Sequence, residues 1–317
     1  MKTCLRILSV LVLALFARLP LHAAETIEIK QQWQVGKKYY QTIQTDQQST
    51  IEIGGQKMDQ STNMTIELTM VVSPHQDGQP KRMTIRYERM AMEIGMNGQK
   101  MSYDSANPSA NADPLNLGKT VGATVGQELK IVFNDKDEIE TVENFDEFVK
   151  RFGDSAVPGF DASKMFSRES LTQMLKQGSL QATPGKPVGV GDSWQFNNQI
   201  DLPQMGKVGV SGNYTVKSMG DHNGLRCVEI QTDGKLSMNL DASKDESSPL
   251  ATLGMKVTDG SIKGPVWFDP QLGIARDSQL VQEMTMSMKN PTDPSATINV
   301  PMKQNISVKL TKVEDLK

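Results

Sequence analysis

The chain has 317 residues, 37% hydrophobic and only 5% aromatic, with two cysteines and a net charge of −3. Removing residues 1–24, which read as a leader, takes away Lys2, Arg6 and Arg18 and moves the charge to −6, a sign that argues against nucleic acid and anionic membrane as main partners. Cys227 is then the only cysteine, so the chain carries no internal disulfide, and about 290 residues must find their stability in a packed core.

The first two dozen residues have the three parts of a secretory signal peptide: Lys2 and Arg6, an apolar run from Ile7 to Phe16, and the small residues Ala23 and Ala24 at the cleavage point. The apolar run is about half of the ~20 residues that a spanning helix needs, and no later stretch approaches it, so no transmembrane segment is expected. Cys4 lies upstream of the apolar run, whereas a lipid-modified cysteine follows it. An exported protein, periplasmic or extracellular and without a lipid anchor, is the expectation.

From Thr26 onward the hydrophobic period is two, the period of strands. Met64, Ile66, Leu68, Met70 and Val72 share one face, with Thr65, Glu67 and Thr69 on the other. Such one-sided strands belong in an antiparallel sheet, which tolerates a solvated face. Hairpin turns are expected at Gly54-Gly55, Asp77-Gly78, Asn97-Gly98, Asn223-Gly224, Asp233-Gly234 and Asp259-Gly260, pairs that admit positive φ. Between Tyr87 and Met90 the alternation changes phase, which predicts a β-bulge near Glu88.

Ser105 to Leu117 is aperiodic and rich in Ser, Asn, Pro and Ala, as loops are. The period then lengthens. Asn144 can cap a short helix over Phe145 to Phe152, and Gly159 to Gly178 contains a second, with Met165, Leu171, Met174 and Leu175 as its apolar residues. Ala182 to Lys186, with Pro184 and Gly185, reads as a hinge. Strands resume beyond Val188, with a polar loop from Asp241 to Pro249, a strand, turn and strand over Trp267 to Ile274, a methionine strand at Met284, Met286 and Met288, a loop at Pro291 and Pro294, and a last strand carrying Ile306, Val308 and Leu310.

An echo organises these elements. Val190, Gly191, Asp192, Ser193, Trp194 repeats the pattern of Val35, Gly36, Lys37, Lys38, Tyr39, and each is followed by alternating runs and a glycine-punctuated run ending in Phe133-Asn134 or Phe268-Asp269. Ordered self-similarity suggests a duplicated unit. The expected organisation is a signal peptide (1–24), an N-terminal β half (25–142), a helical connector and hinge (143–187) and a C-terminal β half (188–317). The fold class is mainly β, two related antiparallel halves forming a curved sheet or half-barrel.

Four features could carry chemistry. Gly191, Asp192, Ser193 resembles the start of an esterase nucleophile motif, but no histidine follows an aspartate by three residues, and the echo has lysines at the matching positions, so a turn leading into a strand is the better reading. The two histidines outside the leader, His75 and His222, sit beside Asp77 and Asp221 and read as solvated turn residues rather than zinc ligands. Asn134, Asp135, Asp137 and Glu138 lack the central glycine and distal glutamate of a calcium loop and read as a hairpin turn. No cofactor motif is present.

The fourth feature is methionine, 19 in all. Met90 and Met92 share one strand face, as do Met284, Met286 and Met288. A flexible, polarizable thioether suits the lining of an apolar ligand site, it can ligate copper(I), and it also fills gaps in ordinary cores. These five residues are the candidate ligand-binding set, with lipid or another apolar ligand as the expected partner.

The leader, the Val190 to Trp194 turn and the Gly264 to Gly273 hairpin with Phe268, Asp269 and Gly273 resemble a bacterial family of secreted proteins known only as a domain of unknown function, which implies coverage of most of the chain and supplies no catalytic residues. More distantly, the layout is similar to periplasmic lipoprotein carriers, whose curved half-barrel holds acyl chains under a helical lid. The resemblance implies non-catalytic binding of an acyl chain in the envelope. The alternative is a structural or protein-binding envelope component without a small ligand; an enzyme ranks third, since no nucleophile, base and orienting group assemble from these residues.

Cleavage after Ala23 or Ala24 is expected to leave a soluble, unlipidated protein. An intact mass that retains Cys4, or partition into detergent, contradicts it.

Overall fold

Among the described residues, strand-period alternation is realised as twelve strands: β1 (Lys37–Ile53), β2 (Gln56–Ser73), β3 (Arg82–Met96), β4 (Gln99–Asp104), β5 (Glu128–Phe133), β6 (Ile139–Val142), β7 (Ser193–Leu202), β8 (Gly206–His222), β9 (Leu225–Asn239), β10 (Lys256–Asp269), β11 (Ile274–Lys289) and β12 (Thr297–Asp315). Among the described residues, the helices α1 (Phe145–Gly153) and α2 (Arg168–Gln177) lie between β6 and β7 in the chain. The computed structural model describes residues 25–53, 56–73, 80–108, 118, 122–153, 167–177, 180, 182–202, 206–239, 256–290 and 296–316. The expected leader, the turns at Gly54-Gly55 and Asp77-Gly78, most of the Ser105 to Leu117 loop, His75, Met165, Gly178, Leu240, the Asp241 to Pro249 loop and the Pro291 and Pro294 loop lie outside the described residues.

All strands join one open antiparallel sheet in the order β6-β5-β3-β2-β1-β12-β11-β10-β9-β8-β7, with β4 paired to the end of β3. The two meanders, β1 to β6 and β7 to β12, meet in the middle, where β1 pairs with β12 from Lys37 opposite Asp315 to Ser49 opposite Met302. The chain is therefore mainly β, with first and last strands as central neighbours.

The Asn-Gly turns form as expected, with φ of 50° and 82° at Asn97 and Gly98 and of 56° and 80° at Asn223 and Gly224. Positive φ at both central positions matches the twist of the flanking strands. Two other expected turns do not form. Asp233-Gly234 lies inside β9 and Asp259-Gly260 inside β10. At Gly234 the reason is close approach: a Cβ there would stand 2.9 Å from the Phe196 ring and 3.0 Å from Ile262, so the glycine makes room for an aromatic lying across the sheet. Near Gly260 the pairing of β10 with β11 skips Thr258, so an extra residue is absorbed as a bulge without reversing the chain.

The expected bulge at Glu88 is present. Glu67 faces Arg89 and Leu68 faces Tyr87, which leaves Glu88 unpaired in the ladder. Its carboxylate accepts from Thr69 Oγ1 at 2.7 Å. One residue further on, Arg89 clamps the outward face, bonding Glu67 at 2.7 Å and both oxygens of Asp104 at 3.0 and 2.7 Å. That guanidinium ties β2, β3 and β4 together where the bulge bends them.

The sheet curls. Helix α2 packs against β6 at one edge and against β7 at the other, so a single helix spans the opening. Leu171 and Leu175 of α2 join the core of the N-terminal meander, while Met174, expected on the apolar side, is 40% exposed. Helix α1 begins at Phe145, where expected, and Phe148 N donates to the Asn144 carbonyl, but the Asn144 side chain, expected as the cap, is taken by β5, accepting from Lys130 N and donating to the Glu128 carbonyl. Phe148 stacks on Tyr87 with centroids 6.1 Å apart. The segment before β1 completes the cover: Ile27 bridges Val188, Gln32 N donates to the Gly273 carbonyl at 2.8 Å, Ile29 is buried and Trp33 meets Tyr39 edge-on at 5.1 Å. These pieces fill one end of the inward face.

The echoed turns also behave alike. Gly36 and Gly191 have φ of 78° and 92°, and each donates its N–H to a valine carbonyl on the next strand, Val72 on β2 or Val216 on β8.

Arg89 and the Ala106 amide hold the Asp104 carboxyl below its ordinary value of 3.8. A depressed folded pKa stabilises the fold above the unfolded value and loses that contribution as pH falls through the folded one. Asp104→Asn is therefore expected to unfold more easily than wild type at neutral pH, with the difference shrinking as pH drops below 3.8. Urea titrations of both proteins across that range check the sign.

Candidate functional site

In an antiparallel pair, directly opposed residues point to the same side, so register decides which side chains share the inward face. Reading across the central strands, one row is Met92, Met64, Thr45, Ile306, Leu280. The next is Ile94, Thr62, Gln47, Gln304, Gln282, and the one after is Gln60, Ser49, Met302, Met284. Every inward position on β1 from Ile43 to Ile51, on β11 from Leu280 to Met288 and on β12 from Ile298 to Val308 is uncharged. Charges on these strands face outward, where Lys303 pairs with Glu283 at 3.1 Å.

The cover described above buries only part of this face. Tyr39, Met70 and Ile85 at one end are nearly inaccessible, whereas Met64, Met92, Ile306, Leu280, Met302 and Met284 keep intermediate exposure. The candidate methionines all lie on the inward face, in two groups separated by β2, β1 and β12. Met90 is 8% exposed, in the row of Ile66, Ile43 and Val308 beside the covered end, and Met92 is half-buried. Met284, Met286 and Met288 are half-buried opposite Met302, Val300 and Ile298. A depression of about 450 Å³ reaches Met284 and Met302 from the outward side, between Asp259, Glu283 and Lys303.

The other candidates resolve into structural contacts. Ser193 is exposed, its Oγ 2.9 Å from Thr215 Oγ1. His222 lies seven residues further along β8, about 23 Å away at ~3.3 Å per residue, so the two do not meet. His222 is not the solvated turn residue expected. Its side chain is 20% exposed, stacked on Trp267 with centroids 4.3 Å apart, and Nε2 stands 3.2 Å from Asp277 Oδ2. Sequence spacing hides that contact, since the ring and the carboxylate come from β10 and β11. Burial raises the Cys227 thiol above its ordinary value, the opposite of what a nucleophile needs.

The acidic stretch is a turn: Asn134 Oδ1 accepts from the Lys136 and Glu138 amides, and Asp137 binds the buried Lys81 at 2.9 Å. Among the described residues no three His, Cys, Asp or Glu side chains converge as a metal would require, and no helix is long and apolar enough to cross a membrane. The glutamines of the central row were not singled out from sequence. Part of their signal was there: Gln282 and Gln304 interrupt the otherwise apolar inward phases of β11 and β12, whereas Gln47 lies between Thr45 and Ser49 and does not stand out.

A family model described as "Family of unknown function (DUF6263)" matches residues 78–275. No curated protein matches the sequence. Among solved structures, a lipovitellin studied for lipid–protein interactions is similar at 10% identity and TM-score 0.48, covering 90% of this chain and 26% of its own, so this chain spans about a quarter of that protein. DynF from the dynemicin biosynthesis pathway of Micromonospora chersina is 7% identical with TM-score 0.19, covering 90% of this chain and 85% of its own. A domain assigned as an outer membrane lipoprotein-sorting protein from Vibrio parahaemolyticus is 6% identical with TM-score 0.15, covering 87% and 85%. At these scores none of the three bears on function.

Trp194 donates Nε1–H to the Ala182 carbonyl at 2.9 Å and packs 5.5 Å from Tyr214. Trp194→Ala is expected to destabilise by about 3 kcal/mol, as truncated core aromatics do, while Ser193→Ala leaves both stability and any ester hydrolysis unchanged. Denaturant unfolding with an ester-hydrolysis assay on both variants separates the two roles.

Proposed function

We propose that this chain, which belongs to the family of unknown function DUF6263, is a non-catalytic envelope protein that holds an apolar ligand such as an acyl chain on the inward face of its curled sheet. One observation carries the reading: an uncharged face across five adjacent strands, whose one end is filled by the chain's own helices and N-terminal segment, and whose remainder keeps half-exposed methionine and aliphatic side chains beside threonine and glutamine. Half-exposed apolar side chains gathered on one face are what binding faces present, and methionine adapts to chains of varied shape. Met92, Met284, Met286 and Met288 would line the ligand, with Met90 at its border with the core. Export to the periplasm or the exterior, read from the leader, would put the protein where lipids move between membranes.

Met286 tests the reading. In a close-packed core Met286→Ala would cost about 2 to 5 kcal/mol for the cavity it leaves, and Met286→Glu more, because an unpaired carboxylate in a dry interior is strongly unfavourable. In an open ligand site both variants are expected to remain near wild-type stability and to lose copurifying lipid, measured by denaturant unfolding and by mass spectrometry of gently purified protein. Easy unfolding of both variants with lipid-free wild type favours the rival, a structural or protein-binding component with a fully packed sheet.

A further inference from the structure

The inward face is not uniformly apolar. Gln47 on β1, Gln304 on β12 and Gln282 on β11 are directly opposed in consecutive strands, forming a belt of three amides across the middle of the sheet. All three are half-buried, and among the described residues none of the amides is engaged by another side chain or by the backbone. Along β11 and β12, Ile306 and Leu280 lie on one side of the belt and Met302 and Met284 on the other, so there the amides separate two apolar zones, while on β1 Gln47 is flanked by Thr45 and Ser49.

Water reaches these half-buried amides, but an apolar ligand laid over the belt would cover them, and a buried polar group left unsatisfied costs about 1 to 3 kcal/mol, so the ligand must bring partners for them. A glutamine offers two N–H donors and one acceptor. From Ile43 to Ile51, Leu280 to Met288 and Ile298 to Val308 the inward positions carry no charge, so neither an anionic nor a cationic group would find a counter-ion beside the belt. The complement to this surface is a neutral acceptor flanked by hydrocarbon on both sides. Resting on the function proposed above, we infer that the ligand is a carbonyl-linked acyl amphiphile, an ester or amide, whose carbonyl oxygens accept from Gln47, Gln282 and Gln304 while its hydrocarbon lies on the apolar zones and any charged head stays outside.

The test separates the carbonyl from the hydrocarbon. Vesicles of dioleoyl phosphatidylcholine and of its ether-linked counterpart, which has the same chains and head but no carbonyls, are incubated with the full chain, and lipid carried off by the protein is quantified after gel filtration. Wild type is expected to retain the ester lipid about tenfold better than the ether lipid, as a surplus of one or two hydrogen bonds gives. The triple variant Gln47→Met, Gln282→Met, Gln304→Met, close to isosteric, is expected to bind the ether lipid as before and to lose the preference. Binding of the ether lipid reports that the variant is folded; if the triple variant does not fold, Gln304→Met alone is expected to reduce the preference severalfold. Equal binding of both lipids by wild type, or a preference untouched in the variants, overturns the carbonyl belt and leaves the apolar-ligand reading standing. A wild type that retains neither lipid overturns both.

Discussion

A strand can hide only one of its two faces unless something covers the other, and the architecture of this chain follows from how that constraint is met. Alternation sends charge outward along β1 from Ile43 to Ile51, β11 from Leu280 to Met288 and β12 from Ile298 to Val308, and leaves the inward positions there uncharged. A flat sheet of such strands would expose the whole apolar side to water, at about 25 cal/mol per Å². Curling brings the two edges to a single helix, and α1, α2 and the segment from Ile27 to Trp33 occupy one end of the hollow. The same geometry that buries Tyr39 and Phe268 leaves the methionine rows only partly covered.

The bends that permit this curvature are local and individually accounted for. Glu88, Thr258 and Thr311 are each skipped by a neighbouring strand, and an extra residue of this kind increases local twist and bends its strand. At Glu88 the bend is reinforced by Arg89, whose planar fork holds Asp104 with two bonds and Glu67 with a third. Across β8, β9 and β10 the sheet instead admits Phe196, which lies over Gly212 and Gly234 toward Ile262. Bulges and side-chain-free positions are two solutions to one problem, the fitting of a filled interior inside a curved sheet.

Much of this was legible in the sequence, for reasons that also explain the misses. Period-two alternation, the Asn-Gly hairpins and the phase change at Glu88 are local signals, and the structure realises them. Asp233-Gly234 and Asp259-Gly260 share the local signature of a turn but lie within strands, because the demand on Gly234 comes from Phe196, distant in sequence. The contact of His222 with Trp267 and Asp277 is equally non-local. Methionine on one face of β3 and of β11 could be read from spacing alone. The alignment of Gln47, Gln304 and Gln282 could not, since it depends on β1 lying beside β12, a pairing between the two ends of the chain.

That pairing has a consequence for how the molecule comes into being. Strands β1 and β12 are far apart in sequence yet hold the middle of the sheet, so the 19 residues of β12 form the hydrogen-bonded seam between two meanders that also touch through α2 and the segment before β1. During synthesis each meander can form its own hairpins early, but the central ladder waits for the last segment, and contacts of such long sequence separation are the slow ones. Until then β1 and β11 each present an open edge with inward-facing apolar side chains. The protein completes itself from the outside in, and loss of the final strand would cut the sheet through its centre rather than fray its margin.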